Sequence, residues 1–366
     1  MKKVKLKEIC EVDWGNTNLT KQAYVENGEF LGVSAGGCDG RMDYYDFEAY
    51  TPVISAIGAN CGKMFLPSEP FVAIKNTITL KPRKEALGTY IYYALLDNHI
   101  PCRGGGQPFI CKTDTEEYII PCPSITEQIK IVDRLDKVSS LIEKRKTQLL
   151  KLDQLIKSRF FEMFGTLSSH EQNLEILTIE ALCSLIKDGT HQTPTYTEDT
   201  INGFKFLSSK DVMTEKIDWS DIKYIPSDLH ERLYAVVKPI RNDILMSKNG
   251  VNYGVAAVND TDEVFDIYVS LALLRPKTDI INPVYFRCAI NNPDTKRQFD
   301  GSIKGIGVPN LHLGEIKKTQ ILVPPMDKQI EYVSFVKQID KSKLAIQKSI
   351  YKLETLKKSL MQQYFG

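Results

Sequence analysis

A stretch of 43 residues occurs twice in this chain. Pro123–Gly165 (PSITEQIKIVDRLDKVSSLIEKRKTQLLKLDQLIKSRFFEMFG) returns at Pro324–Gly366 (PPMDKQIEYVSFVKQIDKSKLAIQKSIYKLETLKKSLMQQYFG), without a gap, at a constant offset of 201. Eleven pairs are identical: Pro123/Pro324, Gln128/Gln329, Ile129/Ile330, Val132/Val333, Lys151/Lys352, Leu152/Leu353, Leu155/Leu356, Lys157/Lys358, Ser158/Ser359, Phe164/Phe365 and Gly165/Gly366. Chance pairing would give roughly two or three at ordinary residue frequencies. Weaker matches extend the repeat. Leu6, Ile9, Cys10 and Val12 answer Ile179, Leu182, Cys183 and Leu185. Ser55, Gly58, Asn60 and Gly62 answer Ser247, Gly250, Asn252 and Gly254, and Pro108 answers Pro309. The order holds while the offset drifts, as surface insertions between shared core elements would produce. The chain reads as two copies of one unit, each a variable globular part followed by a long segment.

Each long segment has the pattern of a helix. From Ser124 to Phe164 there is no proline and no internal glycine. Apolar residues fall at Ile129, Val132, Leu135, Val138, Leu141/Ile142, Leu149, Leu152, Leu155/Ile156 and Phe160, in steps of three and four. The second segment repeats the stripe from Ile330 to Leu360. Prolines precede both and glycines close both. Forty residues at about 1.5 Å each make a rod of roughly 60 Å. Two such rods in one chain most simply cover each other with heptad-like packing, imperfect across the polar stretch Glu143–Gln148. The alternative is that each rod packs on its own globular part.

The globular parts read as mixed α/β with many short strands. Each opens on a short amphipathic helix (Leu6–Val12; Ile179–Ile186). Strand-like runs follow at Phe30–Ser34, Val53–Ile57, Phe71–Leu80, Phe204–Ser208, Asp243–Ser247 and Tyr268–Leu274. Tyr90–Leu96 and Val284–Ile290 read as a matched helix. The strands Tyr118–Ile120 and Thr319–Val323 lead through proline into the rods. The expected division is therefore 1–122, 123–165, 166–323 and 324–366.

Charge narrows the function. Segment 124–165 carries +3 and segment 326–366 carries +4, in a chain of net +1. The remainder is acidic by six charges, so any nucleic acid would be held by local patches and not by a basic field. The basic start lacks the apolar run of a secretory signal, and no stretch reaches membrane-span length. The eight cysteines include no CxxC and read as reduced thiols. A metal site from Cys102, Cys111, Cys122 and His99 lacks the close ligand pairs such sites use.

No GxxxxGK[ST] phosphate loop, G-x-S-x-G elbow or H-E-x-x-H occurs. Pro293-Asp294 with Glu315-Ile316-Lys317 has the residue types of a magnesium-dependent nuclease, in which carboxylates hold the metal and lysine steadies the attacking water. In that pattern Asp294 reads as a turn or helix-end residue and E-x-K as the start of a strand edge. Polar loop clusters form the better lead. In the first copy they are Trp14–Thr17, Ser34–Arg41, Ala56–Lys63 and Arg103–Gln107. In the second they are Asp188–Pro194, Ser208–Asp211, Ser247–Gly254 and Ser302–His312. Their side chains are the kinds that hold phosphates and read base edges. The candidate DNA contacts are Asn16, Thr17, Arg41, Asn60, Lys63, Arg103 and Gln107, and then Thr190, His191, Gln192, Lys210, Lys248, Asn249, Asn252, Tyr253, Lys304 and Asn310. The clusters occupy corresponding places in both copies but differ in identity, as two modules reading two different sequences would.

With this layout, the entry phrases Ile120–Gln128 and Ile321–Gln329, and Asp188-Gly189-Thr190-His191 with Thr193-Pro194, the chain resembles the specificity subunits of type I restriction–modification systems. Lys328 stands where the family usually repeats the glutamate at Glu127, and Trp14-Gly15-Asn16-Thr17 is a looser glycine turn. The resemblance implies an α/β (α+β) fold of two similar target-recognition domains separated by an antiparallel coiled coil, with a pseudo-twofold internal repeat. It implies a cytoplasmic, non-catalytic protein without a cofactor that reads a bipartite asymmetric site on double-stranded DNA. Its partners would be two adenine methyltransferase subunits and restriction (translocase) subunits, with no membrane. The other readings are the magnesium nuclease (Asp294, Glu315, Lys317) and a helical adaptor that binds no nucleic acid.

Overall fold

A computed structural model describes residues 2–96, 100–170, 174–303 and 309–366. The chain divides into two units. Unit 1 is Met1–Gln148 with Ala345–Gly366, and unit 2 is Leu149–Leu344. Each unit therefore owns one globular part, the near half of one long helix and the far half of the other.

Unit 1 runs β1 (Lys3–Lys5), α1 (Leu6–Ile9), β2 (Cys10–Trp14), β3 (Phe30–Ser34), β4 (Gly37–Met42), β5 (Val53–Ser55), β6 (Met64–Phe65), β7 (Phe71–Ala73), β8 (Thr77–Pro82), α2 (Gly88–Leu96), α3 (Lys112–Glu117) and β9 (Ile119–Pro121), then enters α4 (Ile125–Phe164). Unit 2 repeats the plan. It runs β10 (Glu175–Thr178), α5 (Ile179–Leu182), β11 (Cys183–Asp188), β12 (Phe204–Leu207), β13 (Lys223–Ile225), α6 (Ser227–Tyr234), β14 (Ile244–Ser247), β15 (Ala256–Val258), β16 (Phe265–Ile267), β17 (Leu271–Pro276), α7 (Pro283–Ile290), α8 (Pro293–Ser302), α9 (Leu313–Lys318) and β18 (Gln320–Val323), then α10 (Met326–Phe365).

The sheets match strand for strand. Unit 1 has a four-stranded sheet in the order β2-β8-β5-β6, a three-stranded sheet β4-β3-β7 and the pair β1-β9. Unit 2 has β11-β17-β14-β15, β13-β12-β16 and β10-β18. In each three-stranded sheet the central strand runs parallel to one neighbour and antiparallel to the other.

Three expectations are corrected. The opening helices stop after one turn, at Ile9 and Leu182, and strands take over. The reason is a change of period. Leu6 and Ile9 share one helical face, but Cys10-Glu11-Val12-Asp13 alternates buried and exposed, as a half-buried strand does. Phe71–Leu80 is two strands, broken by a turn in which Asn76 adopts φ 69°, a conformation asparagine tolerates. The polar run Ser34–Arg41 is largely strand β4 of a hairpin.

Both long helices have 40 residues. Gly165 ends the first in a left-handed conformation (φ 72°), the usual glycine stop. In unit 1 the start of α4 meets the end of α10: Arg134 donates to the Tyr364 hydroxyl (2.8 Å), and Ile131, Val132 and Leu135 share a core with Met361, Tyr364 and Phe365. In unit 2 the end of α4 meets the start of α10: Tyr332 donates to the Ile156 carbonyl (3.1 Å), Lys343 pairs with Asp153, and Phe160 and Phe164 bury with Val333 and Val336. The helices thus run antiparallel within each unit, and each also packs on a globular part, so both sequence alternatives hold in part. The buried stripe is narrower than expected: Ile129, Leu141 and Leu155 are exposed at 53, 45 and 45%.

The glutamines repeated in the two long segments are structural. Gln128 is fully buried; its carbonyl accepts from Leu87 N (3.0 Å) and its amide donates to the Glu85 and Pro123 carbonyls (2.9 Å each). Gln329 does the same in unit 2, accepting from Asn282 N (2.8 Å) and donating to Ile280 and Pro324 (3.0 and 2.8 Å). Beside each, a buried tyrosine hydroxyl caps the preceding strand, Tyr90 to Pro121 and Tyr285 to Leu322. The rings of Phe365 and Phe164 pack on those tyrosines at 5.4 and 5.3 Å.

Candidate nucleic-acid interface

In each unit three loops meet at the short turn joining the parallel strand to the four-stranded sheet (β7–β8; β16–β17). The first loop leaves β2 or β11 through a glycine. Gly15 N donates to Thr77 O and Asn16 N to Ala73 O; Gly189 N donates to Leu271 O and Thr190 N to Ile267 O. A Cβ on Gly15 would lie 2.5 Å from the Ile74 carbonyl, and one on Gly189 would lie 2.2 Å from that of Ile267. The looser first motif is therefore the same turn.

The second loop follows β5 or β14. Gly58 and Gly62 adopt φ 87° and 85°, and Gly250 and Gly254 adopt 84° and 87°. Only glycine enters that region freely, so its spacing was the visible signal. The third loop pairs with the second. Gly58 N donates to Pro108 O and Ile110 N to Ala56 O; Gly250 N donates to Pro309 O and Leu311 N to Lys248 O. The second loop is tied to the central turn by Ala56 N to Asn76 O (2.9 Å) and Lys248 N to Ser270 O (2.8 Å). One backbone scaffold thus carries two different sets of side chains.

Most candidate contacts sit on this scaffold. Asn16, Thr17, Asn60, Lys63, Arg103 and Gln107 are exposed in unit 1, though Arg103 also pairs with Asp114 at 2.5 Å. His191, Gln192, Asn252 and Asn310 are exposed in unit 2, while Thr190, Asn249 and Tyr253 are half-buried. Tyr253 donates to Asp300 (2.5 Å) beneath the Lys296 ammonium. Lys210 is exposed beside the turn, next to Ser209, whose N–H donates to the Ser270 hydroxyl; it is held by Asp221 at 2.7 Å, which raises its pKa.

Two candidates differ from the rest. Arg41 pairs with Glu69 (2.9 Å) at the other end of the three-stranded sheet from the glycine turn. Lys248 is 5% exposed, and its ammonium lies 2.5 Å from Asp188. Lys304 lies outside the described residues, as does His99.

Sequence reading missed Lys75 and Asn76, exposed at the central turn of unit 1; Lys75 has no ion pair among the described residues. A polar pair inside the apolar run Phe71–Leu80 was the signal. It also missed the hairpin carboxylate Asp39. Burial pushes its pKa up, but hydrogen bonds from Lys21, Ser34 and Tyr24 outweigh that and hold it below the usual value.

The nuclease constellation does not assemble. Glu315 and Lys317 lie on helix α9, not on a strand edge, and residues two apart on a helix point to different sides. Glu315 pairs with Lys318, Lys317 with Glu180, and Asp294 with Arg297 while accepting from Leu167 N (3.1 Å). Among the described residues no three His, Cys, Asp or Glu side chains gather as a metal site would require, and no helix is long and apolar enough to cross a membrane.

The family model for the type I restriction modification DNA specificity domain matches residues 1–152 and 199–355. Similar proteins include the type I restriction enzyme MjaVIII specificity subunit of Methanocaldococcus jannaschii, 21% identical over 83% of this chain and 75% of that one. The EcoBI specificity subunit of Escherichia coli is 21% identical over 68% of this chain and 58% of its own length. Among solved structures, the S subunit of a type I restriction–modification system from M. genitalium has the same fold, with TM-score 0.60 and 17% identity over 100% of this chain and 96% of that one. Two matched domain regions, one duplicated loop scaffold and two long helices place this chain in the specificity-subunit family of type I restriction–modification systems.

Proposed function

We propose that residues 1–122 and 166–323 each read one half of a bipartite asymmetric DNA site, while the long helices (123–165 and 324–366) set the unread spacer and dock the modification subunits. The observation that carries this reading is the loop scaffold: the same backbone hydrogen bonds in both units, with different side chains at the tips. Recognition would come from Asn16, Thr17, Asn60, Lys63, Lys75, Arg103 and Gln107 in the first half, and from Thr190, His191, Gln192, Lys210, Asn252 and Asn310 in the second. The chain itself performs no catalysis here. It acts in the cytoplasm, and restriction subunits join the assembly formed with the methyltransferases.

Exposed repeats on the long helices support two methyltransferases. Ile129 and Ile330 are identical and both 53% exposed; Leu155 and Leu356 are identical and 45 and 46% exposed; Leu150 and Tyr351 are 66 and 72% exposed. Folding gives no reason to keep such pairs apolar. Unit 1 presents Ile129, Tyr351 and Leu356, and unit 2 presents Ile330, Leu150 and Leu155. Two equivalent apolar sets suit two copies of one partner.

The test replaces residues 1–121 with the equivalent part of a related subunit and maps methylated adenines in cells carrying the partner methyltransferase. One half of the modified site should change and the other should persist. A change in both halves, or in neither, refutes the assignment.

A further inference from the structure

Lys248 has the residue type of a phosphate contact but not the position of one. Its side chain is 6% exposed, and its ammonium lies 2.5 Å from a carboxylate oxygen of Asp188, whose other oxygen lies 3.7 Å from His191 Nε2. Asp188 ends β11 immediately before the Gly189 turn, so it belongs to the first loop of unit 2. Lys248 opens the second loop. Its own backbone reaches the other two partners of the scaffold, donating to Ser270 O and accepting from Leu311 N, both at 2.8 Å. One side-chain ion pair therefore joins the first loop to a residue that already holds the second loop, the third loop and the central turn. In unit 1 the equivalent positions are Trp14 and Ala56, where only backbone bonds are available.

We propose that the Asp188–Lys248 pair is a latch that positions the recognition loops of unit 2, and that Lys248 is a positioning residue and not a DNA contact. This rests on the assignment of unit 2 as a DNA reader. The Lys248 ammonium is buried while Asp188 is partly exposed, so the lysine reaches a carboxylate inside the loop cluster and not a phosphate outside it, and removing Asp188 leaves the ammonium buried without its counter-charge. Loops tilted by such a loss would misplace Thr190, His191 and Asn252 together.

The test uses the full chain assembled with its methyltransferase, with the site first defined by adenine mapping on the unaltered protein. Asp188→Asn and Lys248→Met should each lower discrimination against base changes in the second half-site by about tenfold or more, the size of losing one good base contact. The effects should not add, the first half-site should be unaffected, and the exchanged pair Asp188→Lys with Lys248→Asp should recover most of the loss. If Lys248 instead touches phosphate, Lys248→Met weakens binding to all sequences and reduces the salt slope by about one, while Asp188→Asn does not weaken it and the exchange fails to rescue. That pattern overturns the latch. A second readout needs no DNA. Lysine acetylation followed by peptide mapping should label Lys248 at least about tenfold more slowly than exposed Lys63, and Asp188→Asn should narrow the difference. Equal labelling in the unaltered chain overturns the latch even where DNA reading is intact. An unaltered complex that modifies no bipartite site refutes the proposed function, while labelling still decides the latch.

Discussion

Gly15 and Gly189 show how much a single position can decide. Each lets the chain leave its strand against a carbonyl that a Cβ would strike. Gly189→Ala should cost about 1–3 kcal/mol, the range for forcing atoms into a filled site, and should impair reading of the second half-site; a melting curve and the adenine map check both. The cysteines give a second prediction. Burial pushes the thiols of Cys10 and Cys183 up to about 12. At pH 8 both should resist iodoacetamide in the folded chain and react in urea, read by mass spectrometry, because the thiolate is the nucleophile. Residue-level function was only partly legible. The glycine spacing and the polar tips were visible in sequence. That Lys248 is buried and Arg41 is paired elsewhere was not, because a lysine looks the same in sequence whether it faces water or an aspartate.

At the scale of elements, repeated identities separated into two kinds. Gln128 and Gln329 anchor the first turns of the long helices to the loops before α2 and α7 through three hydrogen bonds each. Gln329→Leu would strand a buried N–H and two carbonyls, so a loss of about 3 kcal/mol is expected in a urea titration, with Gln329→Glu also destabilising. Strand positions were read well where runs were continuous and bounded by turn residues, as at Phe30–Ser34. They were read poorly where a one-turn helix passed directly into a strand, because four residues are too few to show a period. Glu315–Lys317 failed for the same reason.

For the whole molecule, the duplication made the architecture legible in advance, and the two units repeat each other sheet by sheet. What sequence could not show is that each compact unit takes half of each long helix. The division falls after Gln148, at the end of the polar stretch of α4, and after Leu344 in α10. Insertion of one heptad at both points should lengthen the spacer between the modified half-sites by about three base pairs, since seven helical residues rise about 10.5 Å and a base pair about 3.4 Å. An unchanged spacer in the adenine map would remove the helices' role as a ruler.

The loop scaffold is written in main-chain bonds and a few glycines, with side chains at the tips left over. A lineage could therefore rewrite its target word by ordinary point mutation, one letter at a time, without renegotiating any buried contact. Such a change would meet little mechanical resistance in unit 1. It would meet more in unit 2, where one ion pair must be kept or exchanged as a whole.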